Sequence, residues 1–147
     1  MKEETLNLDL KGLENFCKNI SLNLKVGDII CLSGELGSGK TTLARYLINS
    51  IYIKNKIQKP SSIKSPSFPI LLTYELKNFE IYHYDLYRIS KTSELIEINF
   101  FEELNNSITL IEWPEIISDS LKDYSFYSVK LTIIDKYKRN IKHNLLF

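Results

Sequence analysis

The sequence predicts an α/β fold with a mostly parallel central sheet flanked by helices, in a single domain over residues 1–147. Three observations carry this. Short apolar runs suited to buried strands alternate with segments of helical periodicity. Residues 34–41 read GELGSGKT, which fits G-x-x-x-x-G-K-[ST], with a strand-like run before it and a helix-like run after it. Finally, 147 residues suffice for one substantial core, and no repeat, low-complexity tract or linker divides them.

Taken in order, Leu6, Leu8 and Leu10 alternate with polar residues as in a half-buried strand. Leu13, Phe16, Cys17 and Ile20 then form a helical face, and Gly27 and Asp28 make a turn. Residues 28–33 are a short apolar run, as expected of a fully buried parallel strand. After the glycine loop, residues 42–53 place Leu43, Leu47, Ile48 and Ile51 on one helical face. Residues 54–69 hold three of the four prolines, four serines and four lysines with no acidic residue, so they read as a long loop. It is either a solvated surface segment or a switch beside a nucleotide, with Ser65 or Ser67 offering a hydroxyl to the γ-phosphate.

Two strand runs, 70–76 and 80–87, follow as a hairpin or adjacent pair. Ser90 or Thr92 then caps a short helix carrying Leu95, Ile98 and Phe101. Asn105 and Asn106 mark a turn. Residues 109–113 form another buried-type strand, stopped by Pro114 at the start of a short helix. Val129, Leu131 and Ile133 alternate in a further strand, and a polar turn at 135–140 leads to a last strand over 141–147.

Strand, glycine loop and helix together define a P-loop NTPase motif. Backbone N–H groups and the positive end of the helix make a cradle for phosphate. Its cofactor-binding set is Leu36, Gly37, Ser38, Gly39, Lys40, Thr41 and Thr42. Gly37 and Gly39 allow a left-handed backbone and close approach of a phosphate. Lys40 reaches the β- and γ-phosphates, and the Thr41 hydroxyl holds Mg2+. At ordinary glycine usage a chance match has odds on the order of one in a few hundred. Three of the chain's five glycines lie within these eight residues, which lowers the odds further.

Hydrolysis or transfer also needs an acid to hold Mg2+ or orient water. Asp85 ends the run 81–84 and Glu112 ends 108–111, so both should emerge at the carboxyl edge of a parallel sheet. Pattern does not rank them. Arg88 is either a charge clamp or the ion-pair partner of Asp85. His83, between two tyrosines, reads as packed or hydrogen-bonded rather than as a general base.

Composition excludes several classes. A net charge of +1 argues neither for nor against nucleic acid as a whole-surface partner. Cys17 and Cys31 lie at core-like positions without metal spacing and read as reduced thiols. With no long apolar run and an acidic N-terminus, the expectation is a cytoplasmic protein with neither membrane nor DNA as partner. No glycine follows Gly39, so the D-x-x-G switch of a GTPase is absent. Only Arg45, Arg88 and Arg139 are available to a small-molecule kinase, which usually grips two anionic substrates with several arginines.

GELGSGKTT at 34–42, SPSF at 65–68, HYDLYR at 83–88 and EWPE at 112–115, in this order and at these intervals, resemble the motifs of the TsaE family. That family, once called YjeE, is the small bacterial ATPase of threonylcarbamoyladenosine formation in tRNA. The likeness runs from about residue 5 to 135. It implies an ATP- and Mg2+-binding domain whose partners are TsaB and TsaD homologues, with TsaD carrying out the transfer to adenosine beside the anticodon. It makes Lys40 the phosphate lysine, Thr41 and Glu112 the Mg2+ ligands, Asp85 a further acid for turnover and Ser65 to Phe68 a switch-like loop.

Two departures stand out. Ser67 replaces the usual threonine but keeps a hydroxyl, and Ile98-Asn99 replaces Leu-Gly, where asparagine still tolerates a left-handed turn. With no arginine marked as a finger in cis, hydrolysis is expected to be slow alone and gated by the partners, and tRNA to be engaged indirectly. The alternatives are a small-molecule kinase, which would phosphorylate an acceptor without a protein partner, and a non-hydrolysing ATP-dependent assembly factor.

Overall fold

A computed structural model describes residues 2–145. The elements are β1 (Glu4–Leu8), α1 (Leu10–Ser21), β2 (Ile29–Ser33), α2 (Lys40–Lys54), β3 (Leu71–Glu75), β4 (Glu80–Asp85), α3 (Ser93–Glu97), α4 (Phe100–Glu103), β5 (Ser107–Glu112), a 3₁₀ turn (Pro114–Ile117), β6 (Tyr127–Ile133) and β7 (Arg139–His143). The seven strands form one sheet in the order β1-β7-β6-β2-β5-β4-β3.

The sheet is mixed, which corrects the mostly parallel expectation. The central pairs β6–β2, β2–β5 and β5–β4 are parallel, whereas β3–β4, β6–β7 and β7–β1 are antiparallel. The reason is connection length. Residues 76–79 and 134–138 are too short for the crossover that a parallel pair needs, so β3–β4 and β6–β7 close as hairpins, and β1 adds antiparallel to β7 from the other end of the chain. The parallel centre is what positions the site, because β2, β4 and β5 all end at one edge.

Both faces of β2 are buried: Ile30 and Leu32 meet α1 and α2, while Ile29 and Cys31 meet α3, α4 and the 3₁₀ turn. That double burial explains the unbroken apolar run in its sequence. On the first face Phe16, Ile20, Leu47 and Ile48 pack over Leu110 and Val129. On the second, Leu95, Phe100, Leu104 and Ile117 pack over Tyr84 and Ile111. Cys17 and Cys31 are free thiols in these separate cores. Burial raises both, Cys31 to about 12, so neither is a ready nucleophile.

Local boundaries follow side-chain chemistry. Asp9 caps α1 through the Gly12 N–H at 2.7 Å, so Leu10 begins the helix rather than extending the strand. The single helix expected after residue 90 is two short helices, broken where Asn99 takes φ 56°. Asparagine does hold the left-handed turn there. Leu95 and Phe100 are buried, and Ile98 is exposed instead. Thr92 occupies the cap position of α3 without a side-chain bond, and Ser90 contributes instead by donating to Glu94 at 2.9 Å. The last strand is shorter than expected, and residues 146–147 of that prediction lie outside the described residues. Among the described residues no helix is long and apolar enough to cross a membrane.

Lys54, expected in the basic loop, is instead the last residue of α2, and its side chain turns back onto α1. Its Nζ donates to the carbonyls of Ser21, Leu22 and Leu24 at 2.9–3.0 Å, capping the helix C-terminus. Lys54→Met is therefore expected to lower unfolding stability by about 1 kcal/mol, as measured by denaturant titration.

Candidate functional site

The glycine loop leaves β2 at the centre of the sheet and ends on the first turn of α2. A Cβ at Gly34 would lie 2.5 Å from the Leu131 carbonyl oxygen and 2.6 Å from Ser38 Oγ, so the loop rests directly on β6 and no larger residue fits. Gly37 and Gly39 have φ of 78° and 105°, as expected. Arg139 Nε donates to the Ser38 carbonyl at 3.0 Å and Nη2 to that of Gly37 at 3.3 Å. The Gly39 N–H lies opposite the Ser38 carbonyl in its planar peptide, so it points away from Arg139. The leading N–H groups of α2 have no intrahelical acceptor. The result is a concave row of donors suited to an anion.

Lys40 is buried, and its Nζ donates to the carbonyls of Gly34 at 2.7 Å and Glu35 at 3.0 Å. The same ammonium lies 4.0 Å from the Trp113 ring centroid. Burial lowers its pKa, while the negative charges of Glu112 and Asp85 pull it back up. Trp113 itself has φ 56°, a costly conformation for a bulky residue that turns the chain sharply past Glu112.

Asp85 and Glu112 are register partners at the ends of adjacent parallel strands, as predicted, yet their surroundings differ. The Thr41 hydroxyl donates to Glu112 Oε2 at 3.0 Å across 71 residues of chain. His83 Nε2 meets Glu112 Oε1 at 2.8 Å, both side chains being buried. Asp85 instead accepts from the Ser67 hydroxyl at 2.8 Å and the Tyr87 N–H at 3.0 Å. Ser65 Oγ lies 2.9 Å from Ser67 Oγ, so Ser65 and Ser67, two of the loop's four serines, are tied to the acid. The loop is not merely solvated: Arg45 Nε pins the Ile63 carbonyl at 2.8 Å, and Pro66 is buried.

Of its two expected roles, Arg88 does not fill that of ion-pair partner to Asp85 among the described residues. It is exposed, and its guanidinium lies 5.0 Å over the Phe68 ring. Two clefts flank the loop. One, of about 240 Å³, is lined by Leu36, Gly37, Lys40, Thr41, Ser67, Asp85, Glu112 and Trp113. The other, about 280 Å³, shares Gly37, Gly39 and Thr42 with the first, adds Ser38, and is walled by Leu8, Leu10, Leu13, Tyr137 and Arg139. No motif announced this second cleft or the role of Arg139, because both ends of the chain build them.

Fold and site define an α/β protein with a strand–glycine loop–helix unit at the sheet centre and two carboxylates beside it. The family described as threonylcarbamoyl adenosine biosynthesis protein TsaE matches residues 8–141. The chain is 43% identical to the tRNA threonylcarbamoyladenosine biosynthesis protein TsaE of Rickettsia typhi, covering 97% of this chain and 96% of the relative. It is 34% identical to the protein of that name from Borreliella burgdorferi, covering 84% and 87%. The crystal structure of Bacillus subtilis YdiB has the same fold, with a TM-score of 0.73 at 21% identity, over 99% of this chain and 87% of that one. The chain belongs to the TsaE family of tRNA threonylcarbamoyladenosine biosynthesis.

Proposed function

We propose that this chain is a P-loop ATPase that binds ATP with Mg2+, hydrolyses it slowly alone, and is accelerated by TsaB and TsaD homologues during threonylcarbamoyl modification of tRNA. The observation that carries this is the Thr41–Glu112 hydrogen bond at 3.0 Å, which sets a hydroxyl and a carboxylate together beside Lys40. These hard oxygen donors suit Mg2+, which keeps several waters and binds through one or two carboxylates plus substrate phosphates.

The loop N–H groups would hold the phosphates, and Lys40 would exchange its two carbonyl partners for them. Thr41 and Glu112 would hold Mg2+, which neutralises charge developing on the transferred phosphoryl group. The cleft beyond Thr42, with Leu8, Leu13 and Tyr137 on its walls, offers the apolar surface that an adenine ring needs.

Asp85 is the group to orient the attacking water, but both its oxygens are engaged by Ser67 and the Tyr87 N–H. One lone pair on each oxygen still remains to accept from water, and the Ser67 bond places the loop at Ser65 to Phe68 where a partner that moves it would change that water's site. Leu36, which lines the cleft of Lys40 and Asp85, is an exposed apolar side chain, as are Phe68, next in sequence to its Ser67, and Tyr87, packed on its Trp113, and a partner can seat on them. The test is Mg2+-dependent ATP hydrolysis by the purified chain, alone and with TsaB plus TsaD. A low rate that rises at least about tenfold with the partners is expected; a rate indifferent to them overturns partner gating.

A further inference from the structure

We propose that His83 is a positioning residue that holds the Glu112 carboxylate in the orientation needed to meet a divalent cation beside Thr41. This rests on the ATP–Mg2+ reading above. Strand periodicity puts His83 and Asp85 on one face of β4 and Tyr82 and Tyr84 on the other. On that face, Ile81, His83 and Asp85 run alongside Ile108, Leu110 and Glu112 of β5 in parallel register. The layer is therefore apolar below and acidic at the edge, with His83 at the boundary.

Both His83 and Glu112 are almost fully withdrawn from solvent, at 0% and 2% side-chain exposure. Glu112 is held at each end, by His83 Nε2 at 2.8 Å on Oε1 and by the Thr41 hydroxyl at 3.0 Å on Oε2. A glutamate side chain has three rotatable bonds, and one hydrogen bond leaves its carboxylate plane free to turn. Two bonds on opposite oxygens do not. With a carboxylate as its acceptor, the imidazole proton sits on Nε2. The other ring nitrogen, Nδ1, is buried with no hydrogen-bond partner among the described residues. A leucine in this layer would pack without that desolvated atom, so the polar ring is accounted for by its bond to Glu112.

Groups that hydrogen-bond a metal-ligating carboxylate typically govern metal affinity by about 10–100-fold. The test measures, by calorimetry, ATP affinity as a function of free Mg2+ and again in EDTA, for the wild-type chain, His83→Leu, His83→Asn and His83→Gln. His83→Leu and His83→Asn are expected to raise the Mg2+ concentration for half-maximal tightening by about tenfold or more. They should leave ATP affinity in EDTA within about twofold. Glutamine, whose amide nitrogen reaches about as far as Nε2, should restore the midpoint to within about threefold, whereas the shorter asparagine should not. The asparagine–glutamine pair keeps the inference testable if the leucine variant fails to fold. A wild-type midpoint in His83→Asn, or an equal loss of ATP affinity with and without Mg2+, overturns the positioning role alone. A wild-type chain whose ATP affinity ignores Mg2+ overturns the metal reading and this inference with it.

Discussion

Lys40→Ala should reduce ATP hydrolysis by about a hundredfold or more, in the presence or absence of partners, and should weaken ATP binding as well. The ammonium sits at the loop with two carbonyls, at 2.7 and 3.0 Å, and the Trp113 ring as its partners. A cation placed against developing phosphoryl charge in a water-poor site contributes a few kcal/mol, which is the origin of the factor. Arginine should not rescue it, since a planar fork cannot replace a compact ammonium where the backbone is packed against β6. Steady-state hydrolysis and ATP titration measure both effects, and circular dichroism confirms that the variant folds. Hydrolysis at the wild-type rate would remove Lys40 from the phosphate site.

Asp85→Asn should separate binding from turnover. Asparagine keeps the shape and can still accept from the Tyr87 N–H, so the loop end stays in place while the charge is lost. Partner-stimulated hydrolysis is expected to fall about a hundredfold, with ATP affinity changed by less than about threefold. Glu112→Gln should differ by also weakening the Mg2+ dependence, because its carboxylate faces Thr41 while that of Asp85 faces Ser67. Single-turnover hydrolysis with ATP and Mg2+ varied independently distinguishes the two. Undiminished tRNA modification by Asp85→Asn, alongside loss of partner binding by Lys40→Ala, would point instead to an assembly switch that needs ATP binding alone.

Much of this was legible along the chain. The buried run at β2, the amphipathic face of α2, the strands of the two hairpins and the carboxylates at the strand ends each follow from local periodicity or from a short motif. The left-handed turn at Asn99 was also readable, since few residue types tolerate it. The pairing pattern was less so: the runs 70–76 and 80–87 read equally as a hairpin or an adjacent pair, and no local signal says that antiparallel pairs flank a parallel centre in a single seven-stranded sheet. Arg88 misled because three residues of spacing from an acid suggests a pair, whereas β4 ends at Asp85 and Arg88 turns onto Phe68.

What local residue order dictated was therefore the chemistry: which side chains can hold phosphate and metal, and at which end of which strand they emerge. Folding decided how those groups are shared. Thr41 falls to Glu112, Ser67 to Asp85 and Arg139 to the loop carbonyls through contacts spanning 71, 18 and 101 residues of chain. Such partnerships depend on strand order and register. Short-range periodicity reports neither, because it records only which face a residue occupies and not which strand lies beside it.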